Sequence, residues 1–337
     1  MKDFRNYSLL HHNTFGIDAR CRRFLEIETV EEARQLPLLL KAEDQPLLVI
    51  GGGSNLLLTK DFEGTVLHAA IRGIESKAVD DGSVLLRVGS GEKWDDIVAL
   101  CVKKGWYGAE NLSLIPGEVG ASAVQNIGAY GAEVSYIINN VEAVEIATGQ
   151  LFTFLARDCN YGYRQSRFKQ EWRGRYLITH VTYRLQTTFT PRLDYGNLRD
   201  VLCKSQKLTA QQLREAIINI RREKLPDLLV EGNAGSFFVN PVVSREKFEE
   251  LLLDYPKMPH YEVDRVGDMK IPAGWLIEQC GWKGRSWGRA GVHSRQALVL
   301  VNRGGATGAE IFALCEAIRH DVKKKFGIDI YPEVNII

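Results

Sequence analysis

The stretch Leu114-Ile-Pro-Gly-Glu-Val-Gly-Ala-Ser-Ala-Val-Gln-Asn-Ile-Gly-Ala-Tyr-Gly-Ala-Glu133 combines four glycines and a proline with mostly small side chains. Its large apolar residues are isolated and follow neither the helical nor the strand period, so we expect a long irregular loop. Glycine lets a ligand approach the backbone closely, and backbone N–H groups bind phosphate oxygens. Residues 114–133, the glycine cradle, therefore predict a binding surface for a flat, phosphate-bearing ligand. A plain glycine-rich surface loop is the alternative.

A second glycine run, Gly51-Gly-Gly-Ser-Asn55, follows a short apolar strand predicted over 46–50. The dinucleotide fingerprint of doubly wound folds needs G-x-G-x-x-G, and its third glycine would fall at Leu56. The N–H groups of such a turn and the Ser54 hydroxyl nevertheless suit an anion. We expect a second phosphate contact here, with an ordinary turn as the alternative.

The rest of the chain alternates strand and helix patterns. Period-two patterns and short apolar runs predict strands over 24–28, 64–70, 84–89, 141–147, 150–154, 176–185 and 297–301, and the helical period predicts helices over 30–41, 93–104, 209–223, 245–253, 273–280 and 306–326. Thr148-Gly149 suits a hairpin turn, and residues 328–337 are expected to be extended. The sequence therefore predicts a protein of mixed helices and strands, with a small α/β unit over about the first 70 residues.

Composition excludes several classes of function. The chain has 337 residues, 45% of them hydrophobic, and a net charge of +1, which gives no support for binding nucleic acid or a membrane through bulk charge. No apolar run is long enough to span a bilayer, and the N-terminus lacks an apolar signal core. We expect a cytoplasmic monomer whose partners are small molecules.

Common catalytic and metal motifs are missing from the sequence. There is no HExxH, no CxxC and no P-loop, and the segment 120–124 lacks the last glycine of a nucleophile elbow. We predict no metal site. The cysteines are expected to be buried free thiols, namely Cys21, Cys101, Cys159, Cys203, Cys280 and Cys315.

Two further segments carry candidate chemistry. Tyr161-Gly-Tyr-Arg-Gln-Ser-Arg-Phe-Lys169 interleaves aromatic and basic residues, which suits a nucleotide or a carboxylate, although a solvated basic loop is the alternative. Gly232-Asn-Ala-Gly-Ser-Phe-Phe-Val-Asn-Pro241 sets Ser236 beside two aromatic residues and near Asn240. A diphosphate cofactor held by two glycine segments fits redox chemistry on an anionic substrate.

Taken in order, these motifs resemble those of the UDP-N-acetylenolpyruvoylglucosamine reductases, flavoenzymes that make UDP-N-acetylmuramate for bacterial peptidoglycan. The resemblance covers about residues 13–337 and rests on these segments: 51–55, 115–131, 161–164, 232–241, 273–277 and 332–334. It implies an FAD-binding fold of the vanillyl-alcohol-oxidase (PCMH) type. The subdomains would be 1–73 joined by 327–337, and 74–223, followed by a substrate-capping α+β domain over 224–326. Tyr261, within 256–270, indicates the long-looped type I form.

The resemblance also implies a reaction. NADPH reduces non-covalently bound FAD, and the enolpyruvyl sugar nucleotide then takes a hydride at C3 and a proton at C2. Arg164 would clamp the substrate carboxylate, Glu333 would hydrogen-bond the enolate as a neutral acid, and Ser236 would donate the proton. On its own, Ser236 is also compatible with a turn residue that bonds the backbone.

The remaining implied contacts fall into two sets. Cofactor contacts are implied at Gly51, Gly52, Gly53, Ser54, Asn55, Pro116, Gly117, Gly120, Ser122, Asn126, Gly128 and Gly131. Substrate contacts are implied at Tyr130, Tyr195, Lys224, Asn240, Tyr261 and Gln296, with a solvated lysine at the end of a helix as the alternative for Lys224. Val239 and Ala123 depart from the family pattern, which has lysine and proline there; the first departure removes one diphosphate contact.

Two other functions remain as alternatives. One is an oxidase or dehydrogenase of the same fold with covalently attached FAD, which needs a His or Cys at the flavin; neither glycine segment contains one. The other is a non-catalytic sugar-nucleotide sensor, which the joint presence of Arg164, Ser236 and Glu333 disfavours.

Overall fold

The computed structural model describes residues 1–195, 198–202, 208–263 and 267–337. The chain forms two compact units. Unit 1 comprises Met1–Tyr7, Cys21–Gly53 and Glu63–Arg221, and unit 2 comprises Ser8–Arg20, Ser54–Phe62 and Arg222–Ile337. The three-part division at residues 73, 223 and 326 stays a prediction.

The elements follow in chain order. The strands are β1 Lys2–Ser8, β2 Arg20–Ile27, β3 Leu47–Ile50, β4 Leu56–Leu57, β5 Phe62–Ala69, β6 Ile74–Val79, β7 Ser83–Gly89, β8 Gly128–Ala129, β9 Ala132–Glu133, β10 Ile138–Glu145, β11 Leu151–Leu155, β12 Tyr176–Gln186, β13 Gly232–Asn233, β14 Val242–Val243, β15 Tyr261–Glu262, β16 Met269–Lys270, β17 Ser286–Trp287, β18 Ala290–Val292, β19 Leu300–Asn302 and β20 Asn335–Ile336. The helices are α1 Val30–Arg34, α2 Leu36–Leu39, α3 Trp94–Lys104, α4 Val119–Gln125, α5 Leu198–Leu202, α6 Ala210–Lys224, α7 Arg245–Asp254, α8 Ala273–Gln279 and α9 Gly308–Phe326.

Unit 1 contains a four-stranded sheet in the order β1-β2-β5-β3, in which β3 runs parallel to β5. The single helix predicted over 30–41 is wrong, because the chain forms α1 and α2 with a break at Gln35. Pro37 lies in the first turn of α2. Proline has no N–H to donate to residue 33, so a continuous helix would lose a hydrogen bond there.

A five-stranded antiparallel sheet, in the order β11-β10-β12-β7-β6, forms the larger part of unit 1. The predicted hairpin joins β10 to β11, with Gly149 at φ +71°. Trp94, Ile97 and Val98 of α3 are buried in the core beside this sheet. Gly105 takes the left-handed conformation and ends α3, as its sequence predicts.

The glycine cradle is more regular than its sequence predicts, because it contains α4 and the short strands β8 and β9. A Cβ added at Gly120 would lie 2.9 Å from Ser90 Cβ. The residues of α4 are therefore small because the helix packs closely on its neighbours. For that reason its sequence shows no apolar stripe at the helical period. The expectation of a wholly irregular loop was wrong on this point.

Unit 2 contains a four-stranded sheet in the order β13-β19-β18-β17, against which α9 packs. Thr307 caps α9 through the Glu310 N–H. The strand predicted over 297–301 is shorter, because the Val299 N–H donates to the Gln296 carbonyl in a turn before β19. The C-terminal segment is extended as predicted and ends in β20, which pairs with β4 in parallel.

Five cysteines are free thiols, four of them buried and Cys280 half-buried. Cys203 lies outside the described residues. Burial raises the pKa of the thiols of Cys101 and Cys315 to about 12, which keeps them protonated and unreactive. Within the described ranges, none of the helices has the length and apolar character needed to cross a membrane.

Candidate active site

The second glycine run and the glycine cradle touch within unit 1. A Cβ added at Gly51 would lie 3.2 Å from Ala121 Cβ, and one at Gly52 would lie 3.3 Å from the Cα of Gly117. Side chains at either position would press the two segments apart. The structure thus brings together the two stretches in which the sequence predicts cofactor contacts.

Ser54 and Asn55, at the end of the glycine run, belong to unit 2. The Asn55 side chain donates to the Glu333 carbonyl at 3.3 Å, and the Asn55 carbonyl accepts from the Asn335 N–H at 3.1 Å. These bonds tie a predicted cofactor residue to the extended segment that carries a predicted catalytic residue.

Ser122 and Asn126 use their side chains inside the protein. The Ser122 hydroxyl donates to the Val119 carbonyl at 2.6 Å and is 1% exposed. The Asn126 amide donates to Glu133 Oε2 at 2.7 Å and to the Gly162 carbonyl at 2.8 Å, and its oxygen accepts from the Ser135 N–H at 3.1 Å. Both residues shape the cradle, so any contact with a cofactor falls to their backbone.

Arg164 is held at the cradle by an unusual backbone conformation. Its φ is +57°, a region that side-chain-bearing residues rarely adopt and that costs on the order of 1–3 kcal/mol. Its Nη2 donates to the Gly128 carbonyl at 2.6 Å. A Cβ added at Gly128 would lie 2.7 Å from Arg164 Nη1, so glycine there makes room for the guanidinium.

Two tyrosines lie near Gly128, the cradle residue that accepts a hydrogen bond from Arg164. Tyr130 also has a left-handed backbone, at φ +48°. Its ring lies edge-on to Tyr195, with centroids 6.2 Å apart. Burial raises the pKa of Tyr130, while the charge of Arg221 and its hydrogen bond oppose that shift. Both tyrosines predicted to contact substrate are therefore side by side.

Arg221 is a functional candidate that the sequence reasoning missed. Its Nε is buried and meets no hydrogen-bond acceptor among the described residues. Burial lowers its pKa, and the nearby charge of Arg164 adds to that effect. Asp95 also acts on it, but both Asp95 oxygens accept from Arg214, at 2.7 and 2.9 Å. Two guanidinium groups thus lie close enough at this site for their charges to oppose each other.

A signal for Arg221 was present in the sequence. It lies four residues after Ile217, on the same face of α6 as the buried Leu213 and Ile217. An arginine in the apolar stripe of a helix costs free energy of folding unless it pairs with an anion.

In unit 2, backbone pairing brings Ser236 and Glu333 together. The Glu333 N–H donates to the Phe237 carbonyl at 2.8 Å, and the Val239 N–H donates to the Tyr331 carbonyl at 2.9 Å. Phe237 is fully buried and Ser236 is exposed. The aromatic residue anchors the segment while the serine faces outward. The residues predicted as proton donor and neutral acid therefore lie on adjacent, hydrogen-bonded segments.

The first turn of α8 gathers two residues predicted to contact substrate. Asn240 Oδ1 accepts from the Ala273 N–H at 2.9 Å. A Cβ added at Gly274 would lie 3.2 Å from Gln296 Oε1. Lys224 and Tyr261 are exposed, the latter on β15. Of the 256–270 segment, positions 264–266 lie outside the described residues.

Among the described residues, there is no group of three or more His, Cys, Asp and Glu side chains that would hold a metal ion. The chemistry of unit 1 is that of a glycine-lined surface with two guanidinium groups and two tyrosines. It suits an anionic ligand.

Comparisons with known proteins agree with this geometry. Residues 22–154 match the model of an FAD binding domain, and residues 227–337 match the C-terminal domain of UDP-N-acetylenolpyruvoylglucosamine reductase. The reductase of that name from Bacteroides fragilis strain YCH46 is 54% identical over 333 residues, 99% of each chain. The one from Porphyromonas gingivalis strain W83 is 48% identical over 99% of this chain and 98% of its own.

A solved structure gives the fold. The crystal structure of UDP-N-acetylenolpyruvylglucosamine reductase from Thermus caldophilus superposes with a TM-score of 0.67 over 99% of this chain and 98% of its own, at 20% identity. The prediction of an α+β fold with an FAD-binding domain is confirmed. With half of its residues shared over essentially the whole length of a curated relative, the chain belongs to the UDP-N-acetylenolpyruvoylglucosamine reductase family.

Proposed function

We propose that this chain catalyses the NADPH-dependent reduction of UDP-N-acetylglucosamine enolpyruvate to UDP-N-acetylmuramate through FAD, a step of peptidoglycan synthesis. Relatives named as this reductase align with it from end to end. The observation that supports the assignment most directly is Arg164, held at the cradle with its guanidinium on Gly128. A permanent, planar cation there suits a substrate carboxylate.

The glycine segments fit a cofactor that bears a diphosphate. Gly51 and Gly52 approach Gly117 and Ala121 too closely for larger residues, and a surface without side chains gives a diphosphate access to backbone N–H groups. We assign non-covalent FAD to residues 51–55 and 116–131. Bound FAD supplies the hydride carrier between NADPH and the enolpyruvyl carbon.

We assign three residues to the chemical step. Arg164 binds the substrate carboxylate, on which negative charge grows as the hydride arrives at C3. Glu333 is assigned to stabilise the charge that develops on that group. Ser236 delivers the proton to C2. A serine hydroxyl is a weak acid, so it depends on placement against a strongly basic carbon, and the buried Phe237 and Phe238 on its C-terminal side supply a fixed anchor.

The other groups bind and orient the substrate. Lys224 offers a mobile point charge to the diphosphate, while Asn240, Tyr261 and Gln296 are assigned to the sugar nucleotide. Val239 offers no charge where the family pattern has lysine. Tyr130 and Tyr195 flank the enolpyruvyl end. Arg221 adds a second, half-buried cation beside Tyr130, which we also assign to substrate or cofactor anions.

The structure gives less support to the alternative of a covalently attached flavin. A histidine does lie beside the cradle, but both ring nitrogens of His68 are engaged by carboxylates at 3.1–3.2 Å. His68 is also only 6% exposed, which leaves little of its ring accessible to a flavin. The substrates proposed here are small water-soluble molecules, which suits a cytoplasmic enzyme.

Anaerobic stopped-flow absorbance tests the proposal. NADPH should bleach the flavin, and the enolpyruvyl sugar nucleotide should restore its colour in a second phase. UDP-N-acetylglucosamine, which lacks the enolpyruvyl group, is the matched control and should restore nothing. Flavin that stays reduced after addition of the enolpyruvyl substrate would refute the activity, and cofactor that stays with acid-precipitated protein would favour the covalent alternative.

A further inference from the structure

His68, on β5, joins two carboxylates beneath the glycine cradle. Its Nδ1 lies 3.2 Å from Glu26 Oε2 on β2, and its Nε2 lies 3.1 Å from both oxygens of Glu118. The residue is only 6% exposed. Such a buried arrangement is favourable when the imidazole carries a proton on each nitrogen.

Glu118 stands where the two predicted cofactor segments meet. It is the residue before α4, between Gly117 and Gly120 of the cradle. A Cβ added at Gly51 would lie 3.2 Å from Glu118 Oε2. The carboxylate therefore lies directly against the second glycine run, to which we have assigned the cofactor diphosphate.

A carboxylate at this position is electrostatically unfavourable for a diphosphate unless a cation compensates it. Burial disfavours the charged form of His68, but the hydrogen bonds and charges of Glu118 and Glu26 outweigh burial and raise its pKa. Glu26 is in turn held by Lys2, whose Nζ lies 2.5 Å from Glu26 Oε1. These contacts form an alternating series of charges, from Lys2 through Glu26 and His68 to Glu118.

We propose that His68 is a positioning residue for FAD, which as imidazolium neutralises Glu118 and holds it against the second glycine run so that the diphosphate is accepted there. The inference rests on the proposed function only in taking FAD as the cofactor. A residue on β5, outside both glycine segments, thereby controls how tightly the cofactor site binds FAD.

FAD binding to the apoprotein tests this. It is measured by quenching of flavin fluorescence between pH of about 5 and 9, which includes the range in which histidine titrates. The four proteins are the wild type, His68→Asn, Glu118→Gln and the double variant. Asparagine keeps hydrogen bonding but carries no charge. In the wild type we expect affinity to fall as the pH rises through the elevated pKa of His68, because the imidazolium is lost and Glu118 is left charged.

His68→Asn should weaken binding at low pH about tenfold or more, as coupled sites commonly do, and should remove the pH dependence. Adding Glu118→Gln to it should restore affinity to near the wild-type value at low pH. Glu118→Gln alone should bind FAD tightly at every pH. Thermal unfolding of the four apoproteins shows which of them are folded, and Glu118→Gln carries the test if His68→Asn fails to fold.

Equal FAD affinities in all four proteins, or a double variant as weak as His68→Asn, would overturn the inference and leave His68 a purely structural residue. An FAD affinity of the Glu118→Gln variant that changes with pH would also overturn the inference. A wild-type apoprotein that binds no FAD would instead refute the proposed function, so the two failures are distinct.

Discussion

The guanidinium of Arg164 rests on the carbonyl of Gly128, at 2.6 Å, in a place that any side chain at residue 128 would occupy. A glycine in the cradle therefore fixes where the permanent cation of the 161–169 loop sits. The left-handed backbone of Arg164 serves the same end, since strain of this kind persists only where surrounding contacts impose it.

Gly128→Ala should displace Arg164. The added Cβ would lie 2.7 Å from Nη1 and 2.9 Å from the Ala132 carbonyl. We expect reoxidation of reduced flavin by the enolpyruvyl substrate to slow by about 10- to 100-fold, because a misplacement of about 1 Å has costs of that order. Stopped-flow reoxidation measures it.

Gly162→Ala is the matched control, since its Cβ would meet only Gln165 Cβ at 3.8 Å. It should reoxidise at the wild-type rate. Equal rates for both variants and the wild type would remove Gly128 from its role in positioning Arg164.

Ser236→Ala should separate the two half-reactions. Reduction by NADPH needs no proton at C2 and should proceed normally, whereas reoxidation by substrate should slow at least about a hundredfold, the usual contribution of general-acid catalysis. Ser236 is exposed and its neighbours Phe237 and Phe238 keep the backbone in place, so the fold should not change. Unaltered reoxidation would take the proton-donor role away from this serine.

Glu333→Gln should slow the same half-reaction by about 10²- to 10³-fold, the cost of a lost stabiliser of developing charge. The backbone bond from Glu333 to Phe237 stays intact in this variant, so its thermal midpoint should match that of the wild type. Full turnover by the Glu333→Gln variant would contradict the assignment. Because glutamine is still a donor, Glu333→Ala should be slower again.

Sequence patterns predicted most elements of both units because the apolar residues mark them. Trp94, Ile97 and Val98 set out α3 at the helical period, and Gly105 marks its end. The failures have local causes. Pro37 splits a helix whose apolar spacing continues past it, and α4 lacks an apolar stripe because Gly120 packs directly on Ser90.

The sequence predicted those residues of the candidate site that belong to a recognisable motif. It did not predict those that only the folding of the chain brings to the site. Arg164 and Ser236 stand in recognisable segments. Arg221 stands in no motif. Its place on the apolar face of α6 marks it in the sequence, but its position beside Tyr130 is visible only in the structure. Asn126 lies in the cradle motif, yet only the structure indicates that its amide is consumed by Glu133 and Gly162.

Asn126→Ala should destabilise the protein through lost hydrogen bonds. The variant removes three part-buried hydrogen bonds and leaves the Ser135 N–H without this partner, while the Gly162 carbonyl keeps its bond from the Gln165 N–H. We expect a loss of about 2–4 kcal/mol in the free energy of unfolding, measured in urea.

Asn160→Ala is the control, because Asn160 has the same φ of +47° but is exposed. It should lose only about 1 kcal/mol, the cost of the left-handed backbone. Equal losses would mean that backbone strain, rather than the hydrogen bonds, accounts for Asn126.

Arg221→Leu should separate function from stability. The Nε of Arg221 is buried with no acceptor among the described residues, which costs free energy that a leucine side chain does not, so the apoprotein should unfold at the same temperature as the wild type or higher. If Arg221 binds an anion of the substrate, the KM for the enolpyruvyl sugar nucleotide should rise at least about tenfold, which corresponds to one lost charge-assisted hydrogen bond. Arg222→Leu, on the exposed neighbour, should change neither quantity. A less stable Arg221→Leu protein with an unchanged KM would instead assign Arg221 to the packing of α6. An unchanged KM with raised stability would leave this cation without a role in binding substrate.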